Sequence, residues 1–119
     1  MKVMVVDDSA VMRKIVIKAL NEAGHSEIVE AGNGQDALSK IQDIDIVFTD
    51  WNMPVMDGLT FVREVRKTSK VPIVMITTEG GQKEVLEAMK SGVNDYIVKP
   101  FTPTVLLTKL ESAIKKAKK

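Results

Sequence analysis

The chain contains no cysteine. Disulfides, thiol catalysis and zinc–thiolate sites are therefore excluded. His25 is the only histidine, which excludes metal sites built from several histidines and relays that pass a phosphoryl group between them. Charge of one sign is also lacking. Lys and Arg number 17 against 16 Asp and Glu, a formal net charge of +1. Such a balance makes no field strong enough to draw in nucleic acid or a membrane surface, so neither is an expected partner. Long apolar runs are missing too. Val3 to Val6 is only a short stretch before Asp7-Asp8, too short for a signal-peptide core or a membrane span. The expectation is a soluble, cytoplasmic protein. No repeat of fixed period, low-complexity segment or linker interrupts the sequence.

What is present is an ordinary globular composition, 45% hydrophobic and 28% charged, enough for a packed core. A length of 119 residues suits a single domain over 1–119. Short apolar runs alternate with helical patterns. Val3-Met4-Val5-Val6 reads as a strand ending at Asp7-Asp8. Ser9 can cap the helix that follows, because its hydroxyl can accept from an amide one turn on. Met12, Ile15, Val16, Ala19 and Leu20 form its apolar face, and Gly24 stops it. Glu27-Ile28-Val29-Glu30 reads as a second strand and Gln35 to Ile41 as a second helix. Ile44 to Thr49 is a third strand ending at Asp50. Turn chemistry from Met53-Pro54 to Asp57-Gly58 leads into a helix carrying Leu59, Phe61, Val62 and Val65. Val71 to Ile76 is the fourth strand, with Pro72 near its start, where a lost amide is tolerable. Val85, Leu86 and Met89 lie on a fourth helix opened by Gly80-Gly81 and closed by Gly92. Tyr96-Ile97-Val98 is the fifth strand. Thr102-Pro103 opens a last helix that buries Leu106, Leu110, Ala113 and Ile114.

Five strands and five helices in strict alternation imply an α/β fold, a parallel sheet with helices on both faces. In such folds ligands bind outside the carboxyl ends of the strands. Those ends carry the chemistry. The first strand supplies Asp7 and Asp8, the third Asp50 and then Asn52, the fourth Thr77, Thr78 and Glu79, and the fifth Lys99-Pro100. Three crowded carboxylates repel unless a cation sits among them. Oxygen ligands without His or Cys suit Mg²⁺ (magnesium), with Mn²⁺ as an alternative. Lys99 and the Thr77 hydroxyl would offset charge on a transferring phosphoryl group. Asp7 and Asp8 are neighbours and make a cation cradle, which leaves Asp50 as the nucleophile.

Val5-Val6-Asp7-Asp8, Asp50 through Gly58, Thr77-Thr78-Glu79 and Tyr96 through Phe101, in that order over the whole chain, resemble the receiver domain of two-component response regulators. The likeness is greatest to the stand-alone chemotaxis type. The resemblance implies a flavodoxin-like fold with strand order 2-1-3-4-5. It implies phosphorylation of Asp50 by a histidine kinase, with Mg²⁺ bound by Asp7, Asp8, Asp50 and the main-chain carbonyl of Asn52. Thr77 and Lys99 would contact the phosphoryl group, Tyr96 would change rotamer with it, and the Lys99-Pro100 bond would be cis. It further implies a monomer that signals to an effector such as a flagellar motor switch protein, with a phosphatase as a possible further partner. Asn52 and Glu79 match positions that accompany fast self-dephosphorylation, so a short-lived aspartyl phosphate is expected and no enzymatic turnover of other substrates. The output surface would be the fourth helix, fifth strand and fifth helix, with Glu79, Val85, Tyr96, Val98 and Lys109 exposed to a partner. Gly80-Gly81 and Gln82 depart from the best-known chemotaxis pattern there. At roughly 1 kcal/mol per glycine they should loosen the helix's first turn.

Blander readings compete at single positions. Asp50 is a common strand-end turn residue, Asp8 suits a helix N-terminus, and Tyr96 can be simple packing. Lys115, Lys116, Lys118 and Lys119 suit the negative end of the last helix. His25 is read as solvated. Gly32-Asn33-Gly34 lacks the third glycine of a dinucleotide fingerprint. Among other functions, a phosphohydrolase of the haloacid dehalogenase type would need an acid/base aspartate where Asn52 stands. A flavodoxin-like electron carrier would find its flavin phosphate repelled by Asp7-Asp8. Within the receiver family, a relay intermediate and a phosphate sink remain alternatives to motor control. The chain's end at Lys119 speaks against a DNA-binding regulator.

Overall fold

The computed structural model of the chain describes residues 1–117. In order they form β1 (Lys2–Val6), α1 (Ala10–Glu22), β2 (Glu27–Ala31), α2 (Gly34–Ser39) and β3 (Ile46–Asp50), then α3 (Gly58–Arg66), β4 (Ile73–Thr77), α4 (Gln82–Ser91), β5 (Asp95–Val98) and α5 (Pro103–Ala117). The five strands make one parallel sheet in the order β2-β1-β3-β4-β5, as the resemblance implied. Val6 pairs with Thr49 and Asp50 with Ile76, so the carboxyl ends of β1, β3 and β4 finish side by side. Lys118 and Lys119 lie outside the described residues.

Side chains alternate between faces along a strand, and here each face has its own core. Met4, Val6, Val47, Ile73 and Met75 pack with Ala37 of α2, Phe61, Val62 and Val65 of α3, and Ala88 of α4. Val3, Val5, Ile46, Phe48, Val74, Ile76 and Ile97 pack with Val16, Ala19 and Leu20 of α1 and with Leu106, Leu110 and Ala113 of α5. The central strands are largely apolar up to their carboxyl ends because helices cover both sides. No helix among the described residues is long and apolar enough to cross a membrane.

Local chemistry sets the boundaries. The Ser9 hydroxyl accepts from the Met12 amide at 3.2 Å, and Thr102 does the same for Val105 at 3.2 Å, so both expected caps form. Gly92 closes α4 at φ +114, a left-handed conformation that glycine adopts without a Cβ penalty. Several expectations shift. Ile15 is 50% exposed rather than part of the buried stripe of α1. α2 ends at Ser39, so Ile41 reaches the core from the following turn. β3 begins at Ile46 rather than Ile44 and β4 at Ile73 rather than Val71. Gly80 and Gly81 do not open α4 from within. Gly81 is its N-cap and the helix starts at Gln82. Glycine is nearly as good as a polar residue at that position, so the expected interior propensity loss does not arise.

One contact fixes where Asp50 stands. At the start of α3 the Gly58 amide donates to the Trp51 carbonyl at 2.7 Å. A Cβ on Gly58 would lie 2.9 Å from Trp51 Cα and collide with the Asp50 carbonyl oxygen. Both obstacles are backbone, which cannot swing aside as a long side chain can. Gly58→Ala is therefore expected to destabilise the protein by about 1–3 kcal/mol through overpacking. Urea unfolding checks this, and an unchanged midpoint would contradict it.

Candidate functional site

The carboxyl ends of β1 and β3 bring Asp7, Asp8 and Asp50 together, with one oxygen from each lying within 4.8 Å of the others. Adjacent residues on an extended strand point to opposite faces, so Asp7 and Asp8 can meet only where the strand ends. β1 ends at Val6, and the backbone turns toward α1 immediately afterward. Asp7 is buried: its Oδ1 accepts from the Ser9 amide at 2.9 Å, while Asp8 is exposed. The Asp50 side chain is 12% exposed, and its Oδ1 accepts from the Trp51 amide at 2.7 Å. Lys99, from the loop after β5, places its Nζ 3.3 Å from Asp7 Oδ2 and 3.3 Å from Asp50 Oδ2. The Lys99-Pro100 peptide is cis.

Burial pushes the Asp50 carboxyl above the usual carboxylate range, Lys99 opposes that rise, and the nearby Asp7 charge adds to it. One ammonium thus serves a site with three carboxylates. The donors are hard oxygens with no His or Cys among them, a set that fits Mg²⁺ or Mn²⁺. The residues present therefore suit a divalent cation.

Thr77 ends β4 and is fully buried, and its Oγ1 accepts from the Glu79 amide at 3.1 Å. The Glu79 carbonyl in turn accepts from the Tyr96 hydroxyl. Thr77 and Tyr96 are thus joined through the main chain of Glu79, a link that strand order alone did not reveal. The Tyr96 ring packs against the first core, so packing and polar contact coexist in one side chain. Trp51 also packs against that core, beside Asp50. Asn52 is exposed in the loop after β3. On the other side of the sheet edge, Val85 is half-buried, Val98 is 44% exposed and Glu79 is exposed. Lys109 is not a free cation there, since its Nζ pairs with Asp95 Oδ1 at 2.9 Å. His25 is half-buried beside α5 rather than fully solvated. Sequence reasoning passed over Arg13, whose guanidinium bonds to the main-chain carbonyl of Asp7 and to Glu30. The available signal was a charged residue directly after Met12 on the apolar side of α1.

Burial pushes the Tyr96 phenol up to about 12, with the Glu79 and Glu84 charges acting in the same direction. The folded state thus favours the neutral phenol. Its contribution to stability is complete below the ordinary value near 10 and is lost as pH rises toward about 12. The chain has a single tyrosine, so phenolate absorbance reports it alone. Half-ionisation is expected near pH 12 in the folded protein and near about 10 in concentrated urea. Equal midpoints in both would contradict the burial of the phenol beside the Glu79 and Glu84 charges.

Comparison with known proteins agrees with this architecture. Residues 3–111 match the response regulator receiver domain family. A chemotaxis protein CheY homolog of Campylobacter jejuni is 51% identical, with 96% of this chain and 92% of that protein aligned. Chemotaxis protein CheY1 of Helicobacter pylori is also 51% identical, covering 93% of this chain and 94% of its own length. Among solved structures, Vibrio cholerae CheY4 superposes with a TM-score of 0.86 at 40% identity, over 94% of this chain and 97% of that one. The CheX-CheY-BeF3-Mg complex of Borrelia burgdorferi gives 0.88 at 30% identity, over 93% and 87%. Strand order, the acidic cluster and these likenesses agree: the chain belongs to the response regulator receiver domain family, in its chemotaxis CheY type.

Proposed function

We propose that the protein is a cytoplasmic, monomeric phosphorylation switch in which Asp50 accepts a phosphoryl group from a histidine kinase and the α4–β5–α5 surface passes the change to an effector, the flagellar motor switch being the partner that the resemblance to the chemotaxis type implies. The observation that carries this reading is the meeting of Asp7, Asp8 and Asp50 with a single lysine 3.3 Å from two of them. Mg²⁺, held by the three carboxylates and the Asn52 carbonyl, would supply the positive charge that such a crowd of oxygens needs when a phosphoryl group arrives. An Asp50 carboxylate oxygen would form the new bond to phosphorus as the bond to the donor imidazole nitrogen breaks, and the imidazole would take up a proton from solvent. Lys99 already lies on the Oδ2 side of Asp50 and would shift its contact to the phosphoryl oxygens. Thr77 uses its hydroxyl oxygen to accept from Glu79, so its proton can be donated to the same group.

The phosphoryl group brings roughly two negative charges. Drawing Thr77 toward them would pull on the Glu79 peptide and hence on the Tyr96 hydroxyl seated on it. That gives the output surface a mechanical link to Asp50 through three residues. Val85 and Val98 supply its apolar part, and Lys109 becomes available to an acidic partner only by leaving Asp95. Asn52 and Glu79, both exposed, would by the chemotaxis resemblance favour hydrolysis of the aspartyl phosphate by water.

The only tryptophan stands next to Asp50, and its amide donates to that carboxylate. Trp51 fluorescence is therefore expected to change on adding Mg²⁺, to change again on adding acetyl phosphate, and to return as the donor is exhausted. Asp50→Asn should abolish the second change while leaving the protein folded. A wild-type protein silent to both additions, or an Asp50→Asn variant that still answers the donor, would refute the reading.

A further inference from the structure

Arg13 sits on α1 with its side chain only 20% exposed, and its guanidinium divides between two other segments. Nε donates to Glu30 Oε1 on β2 at 2.9 Å, and Nη1 donates to the main-chain carbonyl of Asp7. Glu30 is itself braced, since its carbonyl accepts from Lys40 Nζ at 2.9 Å and Lys40 pairs with Asp36 at 3.1 Å. The Asp7 amide donates to the Ala31 carbonyl at 3.1 Å. The peptide before Asp7 is therefore held on β2, while the peptide unit after it takes a donor reaching from α1.

That peptide unit is the one that joins Asp7 to Asp8. A peptide is planar, so the direction of its carbonyl sets the directions in which the flanking residues leave it. Two adjacent aspartates can offer oxygens to one point only if this plane is held at one particular angle. Ser9 fixes the Asp7 carboxylate by donating its amide to Oδ1 at 2.9 Å. Among the described residues, Arg13 is the one donor to the Asp7 carbonyl. We infer that Arg13 is a positioning residue for the cation site, acting through the Asp7–Asp8 peptide rather than by touching the cation or the phosphoryl group. A planar fork is suited to this, because its two nitrogens point at fixed angles to Glu30 and to the carbonyl. A lysine ammonium carries its donors on one nitrogen at the end of a flexible stem, so it does not impose the two fixed directions that the fork does.

This inference rests on the cation site proposed above, and the test separates the two. Mg²⁺ titrations followed by Trp51 fluorescence are compared for wild type, Arg13→Lys, Arg13→Gln and Glu30→Gln, with circular dichroism and urea midpoints establishing that each is folded. Both Arg13 variants are expected to need at least about tenfold more Mg²⁺ for half-saturation, as is usual when a group orienting a metal ligand is lost. Glu30→Gln should shift in the same direction by less, because the bond to the Asp7 carbonyl survives. At saturating Mg²⁺ the rate of reaction with acetyl phosphate should stay within about twofold of wild type, since no phosphoryl contact is removed. If wild type gives no Mg²⁺ response, the site reading fails and this one with it. If wild type responds and both Arg13 variants match it, Arg13 positions nothing. If Arg13→Lys matches wild type while Arg13→Gln is weakened, positive charge rather than the fork is what counts, which equally overturns the positioning role.

Discussion

Negative charge crowded at the carboxyl ends of β1 and β3 is the constraint around which the other parts of this protein are arranged. Three carboxylates reach within 4.8 Å of one another, and one lysine answers two of them. Left alone, such a cluster would spread apart or take up protons. Two of its members are tied to main chain, Asp7 through the Ser9 amide and Asp50 through the Trp51 amide, and Arg13 bonds to the carbonyl of the peptide that joins Asp7 to Asp8. The sheet supplies the rest of the rigidity, with β1, β3 and β4 buried on both faces. A site held in this way would take a cation and a phosphoryl group with little reorganisation, which is where electrostatic preorganisation has its effect.

The same arrangement links the site to the opposite edge. Thr77 lies inside the core and cannot respond to charge without disturbing what it touches. Its partner is the amide of Glu79, whose carbonyl holds Tyr96. A short main-chain segment thus connects a buried hydroxyl to an aromatic ring on β5. The loop carrying it includes Gly80, which lies outside α4, and ends at Gly81, whose carbonyl accepts the helix's first hydrogen bond from the Val85 amide at 3.0 Å. This is the kind of element that two states can share at a small free-energy difference. Lys109, in the proposed output surface, is satisfied internally by Asp95.

Much of this was legible in the sequence for a simple reason. The alternation of apolar runs with 3.6-residue patterns is enough to imply a parallel sheet, and a parallel sheet gathers whatever stands at its strand ends. Asp7, Asp8, Asp50, Thr77 and Lys99 were readable because each directly follows or ends an apolar run. Strand boundaries were less so: Ile44 and Val71 are apolar and β-branched, yet both precede their strands. Pairing partners, not residue type, decide where a strand begins. The exposure of Ile15 was unreadable because periodicity shows a stripe and not its width.

The sequence by itself determined the fold class, the caps at Ser9 and Thr102, and the set of side chains at the strand ends, because these depend on contacts within a few residues. Tertiary structure decided what depends on distant segments meeting. The Asp7–Asp8 peptide takes its angle from an arginine on one helix and a glutamate on a neighbouring strand. Tyr96 takes its place from a carbonyl 17 residues away. Val55 adopts φ +69, a conformation its β-branched side chain disfavours, because the loop around it is closed by the Gly34 amide on the Met56 carbonyl and by Gly58 on Trp51. Local preference cannot specify such features, since each is set by the geometry of groups that only folding brings within hydrogen-bonding reach.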